Sequence, residues 1–132
     1  MDISKYISIP FKELGRDLNG WDCWGCFRYI YQEQLGISLP SYINSYKDTK
    51  DVKNIAAQTR AGRKEVWIKV EDFRITDGIL FRIEGDPVHV AIVINSYEMI
   101  HVYRGVDTCI ENFTTSKWKS RLLGFYRYRG LI

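Results

Sequence analysis

The chain has 132 residues, one ordinary domain with enough length to bury a core of its own and little room for a second. Hydrophobic residues make up 45% and charged residues 27%, the balance of a soluble globular domain, and the net charge of +3 comes from Lys and Arg scattered among acidic residues. No clustered basic face offers itself to nucleic acid, and the longest nearly apolar run, 88–94, is broken by His89 and far too short to cross a bilayer.

The opening Met1-Asp2-Ile3-Ser4-Lys5 has neither an apolar segment nor a small-residue cleavage site, so the expectation is synthesis in the cytosol without a signal peptide. Residues 1–21 are turn-rich, with Pro10, Gly15 and the Asn19-Gly20 pair, and are read as an irregular lead-in. A helix follows. Asp22 is a suitable N-cap, Cys26, Phe27, Ile30, Tyr31 and Leu35 recur at helical spacing, and Gly36 closes the element ahead of the Leu39-Pro40 break. Gly25 and Cys26 are small, which lets the first turn approach its neighbours closely. After a loop over 41–47, Asp48 or Thr49 is expected to cap a second helix ending at Gly62.

From there the pattern changes to period two. Strands are expected at 65–70, 78–84, 87–94, 98–104 and 107–112, then a helical turn from Thr115 to Ser120 and a last strand at 122–129. The last strand alternates Arg127 and Arg129 with aromatics, as a strand with one wet face does. Helices first and hairpin-linked strands after them predict an α+β domain with an antiparallel sheet of five to six strands, the first helix packed upon it.

Three cysteines, an odd number, argue against a disulfide framework. Cys23 falls one residue after the predicted N-cap, where unsatisfied N–H groups and the helix dipole favour a thiolate and an oxyanion. Only two histidines exist, His89 and His101, and both fall in one predicted hairpin. A connection over 94–98 sets Ala91 opposite His101 and makes His89 its diagonal neighbour on the same face, about 7–8 Å away between backbones. A one-residue slip would part them. A thiol needs a base, and the base needs a group that fixes its tautomer, so Cys23, His89 and His101 are the candidate catalytic set.

Other uses compete for these residues. Cys23-Trp24-Gly25-Cys26 is a C-x-x-C, although redox use expects a parallel βαβ setting. Zinc would take Cys23, Cys26, Cys109 and one histidine, but Cys109 lacks the second closely spaced ligand that structural sites bring. Cys109, alternating with Asp107 and Glu111, is read as structural, and Glu84 and Asp86 as part of a solvated turn.

The stretch Gly20-Trp21-Asp22-Cys23-Trp24-Gly25 resembles the nucleophile motif of the NlpC-like cell-wall cysteine peptidases. Pro87-Val88-His89-Val90-Ala91-Ile92 is similar to their histidine strand, and His101 matches the third catalytic position twelve residues on. Ile9-Pro10-Phe11 and Gly15-Arg16 resemble the family's lead-in. Trp24, Trp118 and Gly124-Phe125-Tyr126 are similar to the branch found in bacteriophage tails. The resemblance implies a papain-like fold and a peptidoglycan endopeptidase with Cys23 as nucleophile, His89 as base and His101 as orienter, acting on stem peptides, commonly at a bond following γ-D-glutamate. It implies no cofactor, metal or membrane insertion. Asp22, Trp24 and Phe11 are the implied substrate contacts, and tail-tip proteins the implied further partners, the domain travelling in the virion tail after synthesis in the host cytoplasm.

The chain also departs from the family pattern. Phe11 stands for a tyrosine, Trp24 for a serine, Ala91 for a glycine after the histidine, and Asp77-Gly78 reverses the usual Gly-Asp. The alternative expectation is a tail-tip structural protein that keeps the fold and docks through exposed aromatics, including Trp67, Trp118 and the Tyr126/Tyr128 pair.

Overall fold

Period-two alternation through the second half leaves each strand an apolar side to bury, and the helical stripe of the first half must be covered by the same sheet. The computed structural model describes residues 1–48, 66–83 and 86–132. A 3-10 turn at Ser4–Tyr6 is followed by β1 (Arg16–Asp17), β2 (Gly20–Trp21) and α1 (Cys23–Ile30), which runs into a π-helical turn at Tyr31–Leu35. Then come β3 (Trp67–Val70), β4 (Gly78–Ile83), β5 (Asp86–Val93), β6 (Glu98–Tyr103), β7 (Val106–Asn112), the short helix α2 (Ser116–Lys119) and β8 (Leu122–Tyr128).

Strands β3 to β8 form one antiparallel sheet in the order β3-β8-β4-β5-β6-β7. The α+β architecture and the six strands agree with expectation, each bound falling within two residues of its predicted place. The expected second helix, from Asp48 or Thr49 to Gly62, lies outside the described residues, as does the turn at 84–85. Two features were not foreseen. The lead-in closes a hairpin, β1 with β2, around the two-residue loop Leu18-Asn19, where Asn19 N–H bonds Asp17 Oδ1 at 2.9 Å and Gly20, opening β2, takes a φ of +153°. The C-terminal end of the first helix widens into a π turn before Gly36, which takes the left-handed C-cap with φ +68°.

The sheet is buried on both faces. Val102, Ile100 and Ile92 pack with Phe27, Ile30, Tyr31 and Cys26 of the first helical segment and with Tyr6 and Trp21 of the lead-in. On the other side Ile79, Phe81, Ala91, Val93 and Met99 pack with Phe113 and with Trp118 of α2. The lead-in also runs along the outer strand: Ser8 N–H bonds Thr108 O and Thr108 N–H bonds Ile9 O, each at 2.9 Å. The Thr108 hydroxyl donates to Ile9 O at 2.9 Å and accepts from Trp21 Nε1 at 2.7 Å, so β2 is tied to the same point.

A buried ion pair joins β8 to the residue just before its neighbour β4. Arg127 on β8 grips Asp77 with two hydrogen bonds, Nε to Oδ1 at 2.9 Å and Nη2 to Oδ2 at 2.8 Å, and both residues are buried. The forked geometry satisfies the charges that burial would otherwise make expensive. Directly before Asp77, Thr76 holds a φ of +79°, pinned by its N–H to Val93 O at 2.9 Å and by the Tyr31 hydroxyl donating to its carbonyl. The left-handed position is therefore Thr76. Gly78 sits in the strand, where a Cβ would meet the Phe27 ring at 3.1 Å, so this glycine serves close helix–sheet approach. A β-branched residue in that conformation stores strain of about 1–3 kcal/mol, and glycine relieves it at a backbone-entropy cost of about 0.5–1 kcal/mol. Thr76→Gly is expected to stabilise the fold by about 1 kcal/mol and raise Tm by roughly 2–4 °C. Urea and thermal unfolding check this, and a lower midpoint would mean that the threonine side chain contributes more than its strain costs.

Candidate active site

Asp22 sits in extended geometry and accepts from Gly25 N–H at 2.8 Å, the N-cap bond expected of it and worth about 1 kcal/mol. The same Oδ1 takes Arg16 Nη1 at 2.8 Å, and Oδ2 accepts from the Tyr46 hydroxyl. Arg16 also reaches Gly15 O at 2.8 Å and Ser41 O at 2.9 Å, so one guanidinium ties β1, the helix start and the loop after α1 together. Gly25 closes the assembly: a Cβ there would lie 2.1 Å from Gly15 O, hence only glycine fits. Where a substrate contact was expected of Asp22, the structure gives a buried carboxylate with both oxygens engaged inside the protein. Its work is to fix the turn that carries Cys23.

Cys23 is the first residue of α1 and is half-buried, while Cys26 one turn on is buried in the core. Cys23 hydrogen-bonds the main chain of Val90, the residue after His89. The helix-start position led to the expectation of an acidified thiol. Instead burial pushes the thiol up to about 12, reinforced by the Asp22 carboxylate and only partly offset by the Val90 and Trp24 main chain and by Arg16. The magnitudes explain the outcome. A helix N-terminus contributes typically 0.3–1 kcal/mol, less than one pKa unit, and desolvation of a thiolate is larger.

The register that joins the histidines is the expected one. Ile92 pairs with Ile100 and Val93 with Met99, the register in which Ala91 and His101 are next in line. His89 Nε2 and His101 Nδ1 are 2.9 Å apart. Both rings lie on the Trp118 side of the sheet: the indole stacks on His89 with centroids 5.7 Å apart and meets His101 edge-on at 5.0 Å. The apolar stripe of α1 covers the opposite side, where Ile92 and Ile100 point. The recorded pairs between β5 and β6 stop at Ile92–Ile100, and beyond that end the start of α1 reaches the Val90 main chain.

Glu111 on β7 completes the network. Its Oε1 is 3.0 Å from His101 Nε2 and 3.3 Å from the Tyr103 hydroxyl, and its Oε2 accepts from Trp118 Nε1 at 3.0 Å. Burial opposes its charge, yet the bonds from Trp118 and His101 win and hold its carboxyl below the usual range. A carboxylate only accepts, so His101 carries its proton on Nε2. Nδ1 of His101 then accepts from Nε2–H of His89, and Nδ1 of His89 keeps a lone pair. Burial, the neighbouring His101 and the Arg121 cation hold His89 well below its ordinary value, and burial lowers His101 against the pull of Glu111. The resting groups are a neutral thiol and two neutral imidazoles.

Trp24 is half-buried, donates from Nε1 to Pro40 O at 2.8 Å and packs between Phe27 and Tyr42. Phe11 is half-buried, bridges to Trp21 and lies under the Arg104 guanidinium. Trp118, expected as an exposed docking aromatic, is 2% exposed and belongs to the histidine network, because its indole N–H is needed by Glu111. Trp67, Tyr126 and Tyr128 are half-buried. Glu111 and Arg16 had no site role in the sequence reading. The sequence held no signal for Glu111: the turn at Arg104-Gly105 pairs Tyr103 with Val106 and would by itself set His101 opposite Thr108, and it is a register shift between His101 and Tyr103 that brings Cys109, and with it the Glu111 face, opposite His101.

A cysteine-bearing helix start against an antiparallel sheet is the architecture of the papain-like α+β class. Residues 9–127 match the NlpC/P60 family, and the chain belongs to it. It is 30% identical over 121 residues to the gamma-DL-glutamyl hydrolase of Bacillus subtilis, covering 90% of this chain and 25% of that protein. A solved NlpC/P60 family protein from Bacillus cereus superposes with a TM-score of 0.68 at 26% identity, over 93% of this chain and 36% of that one. The NlpC/p60 domain of the peptidoglycan hydrolase SagA gives 0.61 at 23% identity, over 92% and 88%. The chain thus spans a quarter of the length of its Bacillus subtilis relative.

A thiol raised to about 12 leaves the thiolate minor at every ordinary pH. Alkylation of Cys23 by iodoacetamide is therefore expected to be slow at pH 7 and to keep rising about tenfold per pH unit past pH 9, where an ordinary thiol has levelled off. Peptide mass spectrometry across pH 6–10 measures it, and a plateau below pH 8 would contradict the neutral resting state.

Proposed function

We propose that this domain is a cysteine endopeptidase that hydrolyses an amide bond in peptidoglycan stem peptides. The observation that carries the reading is the hydrogen-bonded series Glu111–His101–His89, which leaves one basic nitrogen on His89, the residue next to the Val90 main chain that Cys23 reaches. Family membership and the hydrolase relatives support the substrate class.

In the proposed mechanism Nδ1 of His89 takes the thiol proton as the Cys23 sulfur attacks the amide carbon, so charge develops only with substrate in place. His101 accepts the Nε2–H bond that strengthens as His89 becomes cationic. The imidazolium then protonates the leaving amine, and water activated by the same nitrogen releases the acyl group. N–H groups at the start of α1 are suited to the oxyanion. Phe11 and Trp24 are the proposed contacts that shape which peptide enters.

The finer reading, delivery of the domain by a bacteriophage tail tip after synthesis in the host cytoplasm, is supported by Trp24, Trp118 and Gly124-Phe125-Tyr126 in the sequence. Mass spectrometry of purified virions tests it. The alternative of a purely structural tail component is weakened by Trp118, which is turned inward and engaged by Glu111.

Cys23→Ala is expected to abolish release of muropeptides while leaving the unfolding midpoint nearly unchanged; equal digestion by the variant would refute the mechanism. Glu111→Gln removes the group that dictates the tautomers. It is expected to lower kcat about 10–100-fold with KM little altered, by analogy with the orienting groups behind ligand histidines. An unaltered kcat would show that the histidines hold their tautomers without it.

A further inference from the structure

His101 and Cys109 are direct cross-strand partners on β6 and β7, and Glu111 follows two residues on, on the same face. Their ligand atoms, one imidazole nitrogen, one sulfur and one carboxylate oxygen, all lie within 4.8 Å of one another. The nitrogen and oxygen are 3.0 Å apart and the sulfur and oxygen 3.8 Å. Donors around a tetrahedral zinc ion, at about 2.0–2.3 Å from the metal, stand roughly 3.3–3.8 Å from each other. Two sides of the coordination triangle are therefore within a few tenths of an ångström of that spacing, and the third, from nitrogen to sulfur, is no longer than 4.8 Å. Cys109 and Glu111 are half-buried, so the cluster is reachable from outside, whereas His101 is buried behind them. One sulfur, one imidazole and one carboxylate suit a borderline cation such as Zn²⁺ and not Mg²⁺ or Ca²⁺.

We infer that His101, Cys109 and Glu111 form an inhibitory binding site for Zn²⁺ or a similar divalent transition-metal ion, separate from the nucleophile. The inhibition follows from proton bookkeeping. A metal bond occupies Nε2 of His101, so the single proton of that neutral ring must sit on Nδ1. Nδ1–H then donates to Nε2 of His89, which in turn must carry its own proton on Nδ1. That is the nitrogen required to accept the Cys23 proton. Both rings stay neutral and each keeps one proton; Cys109 loses its thiol proton to solvent as it becomes a ligand. One ion thus reverses two tautomers and disarms the base while touching neither His89 nor Cys23.

Binding stands on the cluster geometry alone, and its inhibitory consequence rests on the proposed hydrolase function. The purified protein is titrated with Co²⁺ and followed through its thiolate-to-cobalt charge-transfer band and its visible bands. The band is expected in the wild type and in Cys23→Ala, and its loss is expected in Cys109→Ser. Loss in Cys23→Ala with retention in Cys109→Ser would place the ion on the nucleophile and overturn the proposal, as would no band in any variant. In turnover assays Zn²⁺ is expected to inhibit the wild type. Cys109→Ser is expected to keep its metal-free rate and to need at least tenfold more Zn²⁺ for half inhibition. Equal Zn²⁺ sensitivity of the two would refute the inhibitory part. The cobalt spectra are independent of turnover, so failure of the hydrolase reading and failure of the metal site give different results.

Discussion

A single carboxylate that can only accept hydrogen bonds orders the histidine side of this molecule. Glu111 receives His101, Trp118 and Tyr103, and through the first of these it decides which nitrogens of two buried imidazoles carry protons. The surroundings are arranged to keep that decision unambiguous. Trp118, Phe81 and Tyr103 pack around the two buried histidines, and cations such as Lys117 and Arg121 lie over the Trp118 ring. In such a low-dielectric enclosure a directed hydrogen bond counts for more than it does in solvent.

The other side of the site is governed by a second carboxylate with a different task. Asp22 joins the start of α1 to Arg16 and Tyr46 and so holds Cys23 at a fixed point over the sheet. Preorganisation here is supplied by charges that are themselves satisfied, an arrangement that lets the resting groups stay neutral and defers charge separation to the moment of attack. The raised thiol and depressed imidazoles are two readings of the same burial.

Much of this could be read from the sequence. The period-two pattern from Trp67 to Tyr128 fixed strand type and face, and the length of the 94–98 connection was enough to bring His89 and His101 together. The N-cap at Asp22 and the C-terminal Gly36 marked the ends of the first helical segment. What escaped was the acidity of Cys23, because position on a helix is visible in a sequence whereas the depth to which a thiol sinks is set by packing from several elements. The π turn at Tyr31–Leu35 left no local signal. The relation of α1 to the histidines was also different in kind: the helix covers the Ile92 side while the rings face Trp118, and the two sides communicate through the main chain at Val90. Alternation alone says which residues share a face and nothing about what covers each one.

The backbone pairing between the lead-in and Thr108 has a consequence for how the domain behaves when trimmed. β7 is the last strand of the sheet, and beside Thr108 its outward N–H and C=O groups are occupied by Ser8 and Ile9. A shortened version starting after Pro10 would bare that rim, and a bare strand rim is a template for self-association. Residues contributed by the first tenth of the polypeptide thus act as a guard against chain-to-chain stacking. Because their partner lies about a hundred positions away, setting this guard carries the loop-closure cost of a long-range contact.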